Sequence, residues 1–275
     1  MITVIQLLGG KGTRLRKITK GDIPKPLLKL HEITIVEQQV KHLLTFGCKD
    51  FIWICHFKHE LFEEEKHRLL EKYKTLINSI TIFIEKNPLS TFGSLLNSIK
   101  NRNENEYLVL YGDILISFDL FRFLCDFRKF TDSDTHIFTR FSDHPEDSDK
   151  ISIDENNLVN KFISKKDDNF LCDPSTTTSG VYIAKRSFFY KLRYWSDKKC
   201  DLYSEVLPKS WNLINASAYL SSEFVLDIGT QERYLKGSEL IKNKSLKYKS
   251  YLYPKKAILL DRDGVLIKRD GYITD

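Results

Sequence analysis

Over the first hundred residues, short apolar runs rich in β-branched side chains alternate with longer stretches in which apolar residues return every three or four positions. Residues 2–8 (Ile-Thr-Val-Ile-Gln-Leu-Leu), 51–55 (Phe-Ile-Trp-Ile-Cys) and 80–84 (Ile-Thr-Ile-Phe-Ile) have the length and residue types of buried strands. Between them, Ile35, Val36, Val40, Leu43, Leu44 and Phe46 recur at helical spacing, and Gly47 stands where a helix closes. A charged stretch over 59–73 keeps Leu61, Leu69, Leu70 and Tyr73 for a buried face. The order β-α-β-α-β predicts right-handed crossovers, a parallel sheet, and strand C-termini gathered along one edge.

Residues 85–93 (Glu-Lys-Asn-Pro-Leu-Ser-Thr-Phe-Gly) lead from that edge into a helix running to about residue 100, for which Thr91 is a natural cap. Residues 107–111 form a further strand that runs into Gly112-Asp113. From 135 to 184 the pattern shortens to strands at 135–139, 150–153, 158–163 and 180–183, a β-rich part expected to cover the sheet edge. Helical stretches over 186–195 and 202–211 follow, and then Val225-Leu226-Asp227-Ile228-Gly229-Thr230. Thr230 reads as the N-cap of a helix carrying Tyr234, Leu235, Leu240 and Ile241. Residues 242–256, rich in Lys, Ser and Tyr, read as a linker, and 257–267 as a last strand.

The chemistry concentrates at strand ends. The first strand opens into Gly9-Gly10-Lys11-Gly12-Thr13-Arg14-Leu15, followed by Pro24-Lys25-Pro26. Three glycines in four residues let backbone N–H groups approach a phosphate without Cβ interference, and Arg14 and Lys25 add two cations that suit phosphate oxygens. A Walker loop would need Ser or Thr directly after Lys11, where Gly12 stands; a dinucleotide fingerprint would need glycine at Leu15. Both alternatives fail. Asp113 follows a glycine at a strand's end, a good place to hold a hard cation against phosphate, and Asp227 lies among apolar residues where burial demands a cation or donors.

The string Gly-Gly-x-Gly-Thr-Arg-Leu with Pro-Lys-Pro downstream, the segment at 85–93, Gly112-Asp113 and Asp227-Ile228-Gly229-Thr230 resemble, in order, the motifs of the sugar-1-phosphate nucleotidylyltransferases over roughly residues 1–240. The wording is similar to that of the branch that activates D-glycero-D-manno-heptose 1-phosphate with GTP for surface polysaccharides. The resemblance implies a Rossmann-like, GT-A-like three-layer α/β fold with a mainly parallel central sheet and a β-rich sugar-binding region. It implies nucleotide contacts from Leu8, Gly9, Gly10, Gly12, Thr13, Pro88, Thr91 and Gly93, and sugar-phosphate contacts from Lys165, Thr178 and Gly180. It further implies catalysis by Arg14, Lys25 and Asp113, with Mg²⁺ on Asp113 and Asp227. The chain departs from the family wording at Ser90, Phe92, Ser164 and Thr178.

At 257–267 the string Leu260-Asp261-Arg262-Asp263-Gly264-Val265, with Gly271-Tyr272 beyond, resembles the first motif of the haloacid-dehalogenase phosphatases of the histidinol and heptose bisphosphate branch. There Asp261 would be nucleophile and Asp263 general acid–base. The implied organisation is a nucleotidylyltransferase domain at 1–241, a linker at 242–256, and at 257–275 the N-terminal fragment of a second α/β domain, inactive alone and cut from a longer bifunctional chain.

Length, 275 residues, allows one large α/β domain plus a fragment, and the 41% hydrophobic and 29% charged content is that of a globular protein. A net charge of +6 suits anionic substrates, a nucleoside triphosphate and a sugar 1-phosphate, without the concentration that nucleic acid demands. Five scattered cysteines, with no C-x-x-C pair, suggest neither zinc nor a disulfide framework. With no leader and no apolar run near the roughly 18 residues of a membrane span, the expected location is the cytoplasm, with no membrane partner and homo-oligomerisation left open. Two other classes remain: a non-catalytic nucleotide-sugar sensor, and a protein whose main activity is the phosphatase.

Overall fold

The computed structural model describes residues 2–9, 15, 18, 22–85, 89–141, 149–164, 176–254, 256 and 258–261. β1 (Thr3–Leu7) is followed, after a 3₁₀ turn at Lys25–Leu27, by a small ribbon of β2 (Lys29–Leu30) and β3 (Ile33–Thr34) that feeds α1 (Ile35–Leu44). Thr34 caps α1 by accepting from Glu37 N at 3.1 Å, and Gly47 takes the left-handed φ of 77° that ends the predicted helix. Then come β4 (Asp50–Cys55), α2 (His59–Lys72), β5 (Ser79–Ile84), α3 (Ser90–Ile99) and β6 (Glu106–Tyr111). The strands lie in the order β5-β4-β1-β6, all parallel. The chain winds outward from β1 to β5 and returns on the other side as β6, so the winding reverses between β1 and β6 and opens a crevice above their C-terminal ends.

The second half adds β7 (Ile114–Ser117), α4 (Leu120–Phe127), β8 (Thr135–Arg140), β9 (Lys150–Ile153), β10 (Val159–Ile163) and β11 (Thr176–Lys185). After α5 (Arg186–Lys191), a π-helical turn at Leu202–Val206 runs into α6 (Leu207–Ser210), and β12 (Ala216–Leu220), β13 (Phe224–Asp227) and α7 (Gln231–Lys242) complete the body. The β-rich part does not simply cover the sheet edge. β11 pairs antiparallel with β6, Val181 opposite Leu110, and also with β8 and β9, giving nine strands in one sheet among the described residues. Pairing satisfies the backbone groups that an uncovered β6 would expose.

The strand alternation sorts side chains to two faces. Val4, Phe51, Trp53, Leu108 and Leu110 meet Val36, Val40 and Leu43 of α1 and Phe62 and Leu69 of α2. Ile5, Ile52, Ile54 and Val109 meet Phe92, Leu95, Phe188 and Val206 on the other side. This is the three-layer arrangement expected of helices on both faces of a sheet. In α2 the fully buried apolar positions are Phe62 and Leu69; Leu61, Leu70 and Tyr73 are only half-buried.

Part of the predicted linker is docked. Leu246 packs with Leu226 and Ile228, and the buried Glu223 carboxylate accepts from Ser250 Oγ at 3.0 Å and Tyr251 N at 2.9 Å. The predicted strand at 257–267 does not form over its described part, 258–261. Ile258, Leu259 and Leu260 are 83%, 98% and 58% exposed, and among the described residues no strand pairs with them. Asp261 shares that exposed stretch, while Asp263 lies outside the described residues.

Candidate active site

β1 ends at the crevice, where Leu8 and Gly9 follow it. Leu8 N donates to Ile54 O at 2.8 Å, and the Leu8 side chain is buried against Gly112. The Leu8 side chain therefore packs the floor of the crevice. A Cβ at Gly112 would meet Leu8 Cδ2 at 2.4 Å and Leu7 O at 2.7 Å, so glycine is required for β6 to turn this close to β1. Gly9 faces Glu85 at the end of β5. Gly10, Gly12, Thr13 and Arg14 lie outside the described residues, as do Pro88 and Lys165.

Three charged residues from distant parts of the chain meet where β7 begins. Lys25 Nζ donates to Asp113 Oδ2 at 2.6 Å and to Asp227 Oδ1 at 3.3 Å. The lysine is buried, whereas the two carboxylates keep 34% and 40% of their side chains exposed toward the crevice. β7 and β13 bring the aspartates together: Asp227 stands opposite Ile114, and Ile228 N donates to Asp113 O at 2.9 Å. Arg233, one turn into α7, donates to the other Asp227 oxygen at 2.6 Å. Sequence reasoning missed Arg233, although its place six residues after Asp227 on a capped helix was legible. Gly229 leaves the room this carboxylate needs, since a Cβ there would sit 2.6 Å from Asp227 Oδ2.

Along the α3 side, Thr91 is not the cap. Leu89 holds that position, and the Thr91 hydroxyl donates to Asp201 Oδ2 at 2.8 Å and accepts from Leu202 N at 3.0 Å. Gly93 likewise serves packing: a Cβ would meet Lys198 O at 2.2 Å. The residue that tunes this segment is Glu85, which accepts from Leu89 N at 3.2 Å and from the Ser94 hydroxyl. Ser90, standing where the family wording has glycine, takes a left-handed φ of 64°.

On the opposite wall, β11 enters antiparallel to β6, which sets Thr178 and Gly180 at the same edge as Asp113. Gly180, at φ 78°, lets the Tyr111 ring pack on its backbone, and the pairing of β11 with β8 shifts register here. The Thr178 hydroxyl donates to Asp149 O at 3.4 Å, so it is already engaged within the protein.

The donor set fits a divalent cation. Two carboxylates converge on one bridging ammonium, so hard oxygens are held around a single cation position. Carboxylate oxygens are the ligand type that Mg²⁺ takes, with water and phosphate oxygens completing its shell.

The sequence is 27% identical over 230 residues, 84% of this chain and 96% of the relative, to the D-glycero-alpha-D-manno-heptose 1-phosphate guanylyltransferase of Campylobacter jejuni. It is 28% identical over 236 residues to the mannose-1-phosphate guanylyltransferase catalytic subunit beta of Drosophila melanogaster, spanning 84% of this chain and 60% of that longer protein. Among solved structures, HddC from Yersinia pseudotuberculosis complexed with GMP-PN superposes with a TM-score of 0.70 at 25% identity, covering 88% of this chain and all of that one. The sequence profile of the nucleotidyl transferase family matches residues 3–244, which span both the glycine loop and the paired aspartates, and the chain belongs to that family.

Proposed function

We propose that the protein transfers a nucleotidyl group from a nucleoside triphosphate to a sugar 1-phosphate, with GTP and heptose 1-phosphate as the favoured pair and Mg²⁺ as cofactor. The observation that carries the reading is the convergence of Asp113 and Asp227 on Lys25 at the crevice between β1 and β6. The likeness to two guanylyltransferases supports GTP, and the heptose enzyme's full-length match supports the sugar.

An oxygen of the sugar 1-phosphate attacks the α-phosphorus in line, and the bond from that phosphorus to pyrophosphate breaks. The nucleophile arrives anionic, so no Ser, Cys or His is needed, and catalysis consists of alignment and charge stabilisation. Asp113 and Asp227 would hold Mg²⁺, which would offset charge on the phosphates. Lys25 adds a cation at the reacting phosphates, Arg14 holds the leaving pyrophosphate, and the backbone of Gly9, Gly10 and Gly12 cradles the nucleotide. Lys165, Thr178 and Gly180 are the proposed contacts of the sugar phosphate.

The test is Mg²⁺-dependent pyrophosphate release from ATP, GTP, CTP and UTP, each offered with heptose, mannose or glucose 1-phosphate. Release with GTP and heptose 1-phosphate is the expected result; another pair would correct the substrates, and none from folded protein would overturn the reading. Residues 257–275 remain our proposed opening of a phosphatase unit, supported by the Asp261-Arg262-Asp263 string and by exposed apolar residues that need a covering sheet. Residues 1–275 are expected to release no phosphate from a sugar bisphosphate, and release would refute this.

A further inference from the structure

Beneath the turn that carries Asp113 runs a chain of three buried side chains. Trp53 Nε1 on β4 donates to Gln6 Oε1 on β1 at 2.8 Å, and Gln6 Nε2 donates to Gln39 Oε1 on α1 at 2.6 Å. Gln39 Nε2 then donates to both Tyr111 O, at 2.9 Å, and Ile114 O, at 2.7 Å. All three side chains are fully buried. The indole can only donate and the two carbonyls can only accept, so the orientation of both amides between them is determined; flipping either would set two donors or two acceptors face to face.

The two carbonyls belong to the residues on either side of Gly112-Asp113. One amide thus clamps the mouth of the turn, spending one N–H on each side. The same helix continues the pattern along β7. Gln38 donates to Ile116 O at 2.7 Å and accepts from Ile116 N at 3.2 Å, and His42 Nε2 meets Phe118 O at 2.8 Å. Side chains of α1 thereby replace a neighbouring strand on the edge of β7 that β13 does not pair.

We infer that Gln39 is a positioning residue for the Asp113 carboxylate. The inference rests on the nucleotidyl-transfer reading of the site. Ile228 N holds the Asp113 carbonyl from the β13 side at 2.9 Å, and Gln39 supplies the restraint from the α1 side. Without it two buried carbonyls lose their donors and the turn is free to relax away from Asp227. Partners of this kind, one step behind a metal-binding carboxylate, typically alter affinity by roughly ten- to a hundredfold.

The experiment is titration of Mn²⁺ into the protein with GTP and no sugar phosphate, followed by the electron paramagnetic resonance of free Mn²⁺. Wild type is expected to bind, and Gln39→Met to weaken binding roughly ten- to a hundredfold. Leu43→Ala, a core change on the same helix, is expected to lower thermal stability while Mn²⁺ affinity stays within twofold. A folded Gln39→Met variant with wild-type affinity overturns the inference while leaving the function intact. Should Gln39→Met fail to fold, Trp53→Phe keeps an aromatic ring against Phe62 and removes only the donor at the chain's far end. A severalfold loss of affinity supports the inference, and no change overturns it. Absence of Mn²⁺ binding by wild type removes the reading beneath it, and the inference with it.

Discussion

Lys25 Nζ lies 2.6 Å from Asp113 Oδ2, and the same ammonium reaches Asp227. One buried cation therefore keeps two carboxylates from repelling each other before substrate arrives. Lys25→Met leaves only Arg233, on the far oxygen of Asp227, to oppose that repulsion. The expected loss is about 1–3 kcal/mol, below the full cost of breaking a buried pair because both carboxylates reach solvent. Added Mg²⁺ should recover more of the melting temperature in this variant than in wild type. Equal Mg²⁺ shifts in the two proteins would separate Lys25 from the cation site.

Asp113→Ala removes a carboxylate from the point where charge must be offset. Turnover measured by pyrophosphate release is expected to fall by a hundredfold or more, as loss of an electrostatic stabiliser typically does. Near-normal turnover would take Asp113 out of the mechanism.

Ser90 opens α3 at φ 64°, a conformation that costs a side-chain-bearing residue roughly 1–2 kcal/mol. Ser90→Gly relieves that strain but gains backbone entropy in the unfolded chain, so a net stabilisation of about 1 kcal/mol or less is expected in urea unfolding. Destabilisation would mean that the Ser90 side chain contributes more than its backbone costs.

Burial holds the His136 imidazole down at about 4 against the usual 6.5, with Asp126 pulling upward and Lys129 downward. Between those values the unfolded chain takes up a proton that the folded chain refuses. The contribution of this residue to stability is thus complete above about pH 6.5 and is lost progressively as the pH drops toward 4. His42, also lowered to about 4 by burial, acts in the same direction. Urea midpoints at pH 7.5 and 5 should differ, and His136→Phe should shrink the difference whatever it does to absolute stability. An unchanged difference would assign the acid sensitivity elsewhere.

Much of the site was legible because its signals are local. A glycine after an apolar run, Gly112-Asp113 at a strand's end and Thr230 before a helix each occupy a few consecutive residues, and the structure keeps Gly9 just beyond β1, Gly112-Asp113 just beyond β6 and Thr230 as a helix cap. Thr91 was misread as a cap because its true partner, Asp201, lies 110 residues away in sequence. Residues 242–256 read as a linker because their anchor is Glu223, which presents no periodicity to find. Gln39 escaped notice for a similar reason: on a helix it is one polar residue among apolar neighbours, and its partners are backbone carbonyls that any residue would supply.

By itself the sequence determined the alternation of strands and helices and put both aspartates at strand ends, since hydrophobic period and charge act over one or two turns of chain. Tertiary structure alone decided that β6 returns beside β1, that β11 joins the same sheet, and that Lys25, Asp113, Asp227 and Arg233 share one place. Those outcomes depend on pairing and burial between segments up to 202 residues apart, where many partners satisfy the same local rules and only the packed whole selects one.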